Sequence, residues 1–509
     1  MLLFVAVIVM VFAMVSVQAE LITVCEEGCN YANITAAVAS ANPGDVLEVQ
    51  SGTYRENINV TKPIILRGID TGKGKPVVNA GQKGSAITLS ADGIVVDGFE
   101  VRTAVGNPFI DWAGIKIASN DNIVSNNIAI DNDNGIFLTG LSNNTLSGNN
   151  ATMNINGIRL ERSNDNIIKA NYFSGNNYGL HLTSSPDNIL AGNHAIGNEY
   201  GILLESSQGN VLEDNQMNGN LYNFGADGSN NVSTSNLVDN KPVYYLVDAL
   251  GKVVDSNSQA GIVYCIGCEN VTIKDLTLKN NRNGILLENT TNCKLENNQL
   301  SNNSYGIMLF SSQKNVIRNN DIINSLNDGF SLDSSDNNTI ENNTVHLSSH
   351  YGVSILYSAG NKIIENDIST NNNGLGINYS NYTIVKKDNI SLNKINGLLL
   401  MNSSENYIAQ NSIIRNSKGV WLIFSSTNSI ADNTIFGNSD GIRPEFSKNN
   451  TISRNKIYEN KYGILLDPKF TNLIRDNEMQ NNENDTEQIV SSTTARAPGP
   501  HRHTGQKKR

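Results

Sequence analysis

The chain has 509 residues, a formal net charge of −11 and 17% charged side chains. Such a length exceeds the needs of one ordinary globular core, so it implies several domains or one architecture that grows by repetition. The acidic balance argues against a nucleic-acid partner, because apart from the terminal Lys507-Lys508-Arg509 no basic stripe is placed to displace counterions from phosphate.

Composition favours repetition. About one residue in six is Asn, Gly is frequent, and Pro and Trp are scarce. A disordered polymer would share this polar bias, but it has no reason to keep Ile, Leu and Val at fixed offsets.

In chain order, residues 1–19 form an apolar run ending in Val17-Gln18-Ala19, a small-residue pattern that predicts a signal peptide cleaved before Glu20. No Lys or Arg precedes the run, so an uncleaved anchor is the competing reading. No second apolar stretch follows, so no membrane span is expected after cleavage. Residues 20–105 read as an N-terminal cap and irregular first coils. Within them, Asn33 to Ala41 predicts a short amphipathic helix, Pro43-Gly44-Asp45 a turn, and 46–49 a strand.

From residue 106 a period emerges. Gly114, Gly135, Gly157, Gly179 and Gly201 are spaced by 21 or 22 residues, and Gly261 to Gly463 form a second series with steps of 22 or 23. Each unit carries three short segments: one of the form GIxL (157–160, 284–287), and two that each follow an Asn. Their apolar residues alternate with variable ones, which is the signature of a strand with one buried face. Leucine-rich and ankyrin repeats need a helix or denser Leu, and a propeller blade needs about forty residues. The pattern therefore predicts an all-β, single-stranded right-handed parallel β-helix of 22–23-residue coils, with three short strands per coil and a helical N-terminal cap. Fourteen or fifteen coils stacked about 4.8 Å apart would make a rod on the order of 70 Å. The recurrent Asn suits corners that need left-handed or bridge backbone, and stacked corners predict amide ladders from coil to coil.

The expected division is a first stack over 106–239, an insertion at 240–260, a second stack over 261–480 and a disordered tail at 481–509. The insertion carries the adjacent Tyr244 and Tyr245. It reads either as a binding loop leaving the solenoid or as a hairpin packed on its side.

The opening 43–68 (PGDVLEVQSGTYRENINVTKPIILRG), the insertion 240–247 (NKPVYYLV) and the GIxLxxSxxNxIxxNxI coils resemble the NosD-like group of pectin-lyase-type β-helices, especially surface proteins of methanogenic archaea. The resemblance covers about residues 30 to 480. It implies copper handling in nitrous oxide reductase maturation, and related modules bind or process surface carbohydrate.

Candidate chemistry is sparse. Cys25 with Cys29 and Cys265 with Cys268 are plausible disulfides in an exported chain, and the odd fifth thiol is Cys293. The last three could instead form a thiol site for copper, and His346 with His350 is a second candidate pair. His181 occupies the variable outward position of GLHL, and His194 stands alone. Calcium is a further option at Asp131 and Asp133, without a defined loop signature. Asp131, Asp133, Asp328, Asp333 and Asp336 are candidate acids, but none is expected to meet a basic partner one coil later. Sequons from Asn33 to Asn484 offer glycosylation sites. The leading expectation is a secreted or cell-surface β-helix that binds carbohydrate or other envelope components without catalysis. A copper-handling accessory comes next, and a polysaccharide lyase, hydrolase or epimerase third.

Overall fold

The computed structural model describes residues 19–106 and 112–488. The expected signal peptide lies outside the described residues, except for Ala19. Among the described residues, strands of two to seven residues recur with a single seven-residue α-helix, Ile34–Ser40. Each coil contributes one strand to each of three walls: a Gly wall built from the GIxL segments, then a second wall and a third. In the N-terminal stack the Gly wall has eight strands and the second wall ten; in the C-terminal stack the second wall has eleven and the third ten. Ten coils plus eleven give 21, more than the Gly count suggested. The early strands Ile58–Val60 and Ile87–Leu89 belong to the Gly wall but lack its Gly, so a search on Gly passes over them.

Inward residues such as Ile158, Leu160, Ile307 and Leu309 are fully buried, because alternation places every second side chain inside. The corners are as well packed as the core. In the N-terminal stack three Asn columns run along the solenoid, exemplified by Asn122–Asn144–Asn166, Asn127–Asn149–Asn171 and Asn132–Asn154–Asn176. Each Oδ1 accepts from both the backbone N–H and the Nδ2 of the Asn one coil earlier, as Asn171 does from Asn149 at 3.0 Å each. Most Nδ2 groups also donate to a carbonyl about one coil back, as from Asn149 to Val124 at 2.9 Å. In the C-terminal stack a Ser column runs beside the Asn ladders, through Ser312, Ser335, Ser358 and Ser380. The corners thus hold three Asn columns where the sequence pattern had marked two.

The two stacks are not one straight rod. Among the described residues one strand pairing is antiparallel: Leu237–Val238, the last strand of the N-terminal third wall, pairs with Lys241–Val247. Asp239 and Asn240 join them with φ of 46° and 63°, the two positive values that a two-residue type I′ hairpin requires. Lys241–Val247 then pairs in parallel with Ile262–Ile266 and starts the second Gly wall. Its alternate side chains serve two cores. Val243, Tyr245, Ile262, Tyr264 and Ile266 pack into the N-terminal core, while Val263 and Cys265 face the C-terminal core. The first coils of the second stack therefore lie across the open end of the first.

This corrects the reading of residues 240–260. Lys241–Val247 and Val253–Val254 of this segment are wall strands, and a short 3-10 helix, Ser256–Ser258, follows them. Tyr245 is buried, its hydroxyl donating to the Gly228 carbonyl, and Tyr244 packs half-buried against the second core. Neither presents a binding loop. The far end differs as well: Asn484–Gln488 pairs with Tyr462–Leu466, so the repeat continues past 480. At the N-terminal end Asn33 caps the helix by accepting from Ala36 N–H at 2.8 Å, and Ile34, Ala37 and Val38 close the core. No described helix is long and apolar enough to cross a membrane.

Asn320 accepts from Asn298 N–H and Nδ2 at 3.0 and 2.9 Å, and donates to Leu295 O at 3.0 Å. Asn320→Leu leaves the buried Asn298 N–H without a partner and removes the other two bonds, and we expect a loss of roughly 2–5 kcal/mol in urea unfolding. In the same column Asp388 replaces Asn. Its Oδ1 accepts from Asn366, whereas Oδ2 stands in the donor position without a partner. Burial, which penalises the charged form, pushes this carboxyl up to about 7. Its folded-state pKa lies above the unfolded value, so its stabilising contribution is complete at pH 3 and lost as pH rises towards 7. Asp388→Asn is expected to match the wild type near pH 3 and to exceed it by at most about 4 kcal/mol at pH 8, read by denaturant titration at both values.

Candidate functional site

On the outer side of the N-terminal Gly wall, coil registration turns single variable residues into columns. The variable position of GIxL gives Lys116, Phe137, Arg159, His181, Leu203 and Gly225, each paired with the next. The column before it gives Tyr178, Tyr200 and Tyr222, and the column after it Glu161, Thr183 and Glu205. The tyrosine rings form a ladder, with centroids 5.1 Å apart for Tyr178–Tyr200 and 5.0 Å for Tyr200–Tyr222. His181 stacks on Tyr178 at 4.7 Å. Its Nε2 lies 3.1 Å from Glu205 Oε2 and 3.3 Å from Thr183 Oγ1.

The second stack completes the site. The Arg282 N–H donates to Phe224 O at 3.0 Å, which brings the entry to the strand Asn283–Glu288 against the last strand of the first Gly wall. From there the Arg282 guanidinium crosses the outer face, with Nη1 3.0 Å from Asp227 Oδ1 and Nη2 3.5 Å from Glu205 Oε1. Space for it depends on Gly225, where a Cβ would stand 2.7 Å from Arg282 Cδ and 2.9 Å from Leu203 Cδ1. Met308 packs against the first core from the second Gly wall. The outer faces of the two Gly walls thus meet in a re-entrant elbow lined by Tyr178, His181, Tyr200, Glu205 and Arg282. Arg159 extends it, pairing with Glu161 at 3.1 Å and lying over the Phe137 ring at 5.3 Å.

Electrostatically the elbow is a closed set of pairs. The hydrogen bond from His181, aided by Arg282, holds the Glu205 carboxyl below its usual range despite burial. Burial works against the Arg282 charge, but Asp227 and Glu205 keep it above its ordinary value. Burial pushes the Tyr200 hydroxyl up to about 12.

The other candidate residues stand apart from this site. His346 sits on the third wall of the second stack, with Nδ1 2.9 Å from Ser369 Oγ and Nε2 4.0 Å from Asp367. His350 lies 2.9 Å from the buried Asp328, which raises its pKa through their hydrogen bond. Its partner sits 22 residues, one coil, earlier, so Asp328 does meet the basic neighbour that the sequence pattern failed to reveal. The two imidazoles are thus engaged with different partners. Cys25 and Cys29 form a disulfide. Cys265 and Cys268 do not; with Cys293 they are free and buried. Cys265 points into the core from its strand while Cys268 lies past the corner at Gly267, and the two thiols face the same core and meet through a hydrogen bond. Asp133 accepts from Gly106 N–H at 3.0 Å. Among the described residues no group of three or more His, Cys, Asp or Glu is arranged to hold a metal ion.

His181, Glu205, Arg282 and the Tyr ladder went unmarked as a site in the sequence. Reading the variable position down successive coils would have placed Arg159 beside His181; nothing local indicated Arg282. Gly225→Val is expected to displace Arg282 and lower stability by about 1–3 kcal/mol, measured by thermal unfolding.

The sequence model of the family described as "Periplasmic copper-binding protein (NosD)" matches residues 46–241, 248–385 and 348–494. No curated protein matches the sequence. Among solved structures the chain is similar to a mutant of the periplasmic alginate epimerase AlgG, at 11% identity and TM-score 0.40 over 80% of this chain and 84% of that one. It is also similar to pectate lyase Pel9A, at 16% identity and TM-score 0.38 over 54% and 79%. A third is tailspike protein 2 of Escherichia coli O157:H7 bacteriophage CAB120, at 13% and 0.34 over 62% and 46%. At this overlap these likenesses assign no residue of this chain a role. For the copper in the family's description, His181, His346 and His350 do not fit, each being paired with a different partner. The soft donors Cys265 and Cys268 fit in kind, as two thiols separated by one corner.

Proposed function

Because the chain belongs to the NosD family, a family described as periplasmic, we propose that it acts outside the cytoplasm as a non-catalytic carbohydrate-binding β-helix with the elbow as its binding surface. The observation that carries this reading is the half-buried Tyr178–Tyr200 pair, backed by the buried Tyr222 and bordered by Arg159, His181, Glu205 and Arg282. A sugar ring offers an apolar C–H face and a rim of hydroxyls. Aromatic rings meet the first, and planar ionised side chains, already oriented by one another, meet the second. Coil stacking repeats these groups along one face, which suits a polymer.

The same pairing speaks against proton transfer. A general acid needs a raised pKa, whereas His181 and Arg282 hold Glu205 ionised. Glycan-array screening followed by calorimetry tests the reading. We expect binding to an envelope or extracellular polysaccharide, weakened at least tenfold by Tyr200→Ala with the melting curve retained. Turnover of a uronate polymer, or wild-type affinity in Tyr200→Ala, would sink it.

Copper handling is the second reading, favoured by the buried thiols at the start of the second stack.

A further inference from the structure

At the first corner of the second stack, cysteine stands where polar ladder residues stand in later coils. The bridges Glu269–Thr291 and Thr291–Gln313 set the register, so Cys268 occupies the column that continues as Thr290, Ser312 and Ser335. Cys293 heads the column of Asn315, Asn338 and Asn361, its N–H donating to Asn315 Oδ1 at 2.8 Å. Cys265 adds a third sulfur from the inward face of its strand, and all three side chains are enclosed. Space-filling alone does not call for sulfur in both columns at once, because Thr and Ser fill the first within two coils. The Cys268 thiol meets Leu246 O at 3.4 Å, Ile266 O at 3.6 Å and the Cys265 side chain. Gly267 above it is exposed, so one residue separates the sulfur from solvent.

We propose that Cys265 and Cys268 bind one monovalent copper ion, with Cys293 as a neighbouring thiol outside the coordination. This rests on the copper reading of the protein and names the residues that would carry it. Thiolates select soft ions, and two suffice for Cu(I), whereas a structural zinc site needs four ligands. No third ligand is arranged among the described residues, which matches low coordination and excludes a tetrahedral site there. Low charge also suits the apolar surroundings: two thiolates and one Cu⁺ leave a single net negative charge. On binding, each S–H bond breaks and a Cu–S bond forms. Both protons pass to solvent, and copper enters and stays as Cu(I).

The test is an anaerobic titration of the reduced full-length protein with Cu(I) against a chromophoric chelator. We expect one equivalent to bind and the melting temperature to rise. Cys265→Ser and Cys268→Ser are expected to weaken binding at least 100-fold, and Cys293→Ser to leave it within a few-fold. If the wild type binds Cu(I) but Cys268→Ser binds equally well, this site is refuted while copper handling stands. If the wild type binds none, both fail. Should a Ser variant fail to fold, X-ray absorption of the copper-loaded wild type decides: two sulfur neighbours are expected, and nitrogen or oxygen ligation overturns the assignment.

Discussion

The amide ladder at the corners is the constraint on which the rest of this protein depends. A solenoid must turn its backbone three times per coil, and every turn leaves polar groups facing inward. Here an Asn side chain in one coil accepts from both the backbone and the amide of the Asn in the coil before, and donates to a carbonyl about one coil back. Neighbouring coils are thereby locked in register, since a slip of one residue would expose the core face and unpair every rung. The regular Gly wall follows from that lock, and the outward columns of the elbow follow from the wall.

Register alone would give an unbroken rod. The break comes from two residues, Asp239 and Asn240, whose positive φ values allow a tight reversal. After it the same sheet continues, but the solenoid interior lies on its other face. Tyr245, Ile262 and Tyr264 can then plug the end of the first core while Val263 and Cys265 begin the second. One hairpin thus closes an open solenoid end, which would otherwise expose apolar side chains and strand edges. It also sets the two Gly walls at the elbow.

The elbow and the thiol corner both arise where the repeat is interrupted, yet they differ in physical character. The elbow holds ionised groups in mutual pairs beside aromatic rings, an arrangement suited to recognition at a wet surface. The thiol corner holds soft, polarisable atoms in an apolar pocket where strong charge is costly. A carbohydrate and a soft metal ion would therefore not compete for one site.

Periodicity was legible in the sequence because strand alternation and corner chemistry act over two to five residues. GIxL, the Asn pairs and the helix after Asn33 carry their own instructions, and they determined the β-helix, its coil length and its capped start. The count of coils was not legible, since the early Gly-wall strands lack the Gly. Nor was the reversal: Asp239-Asn240 reads like any other polar corner until its neighbours pair antiparallel. The partner of His181 is 24 residues away, and that of Asp227 is Arg282, 55 residues on. Such contacts depend on how whole coils stack and where the axis shifts. Local sequence determined each coil of this protein; only the tertiary structure decided which coils face one another, because that choice rests on the burial of an open end rather than on any short-range preference.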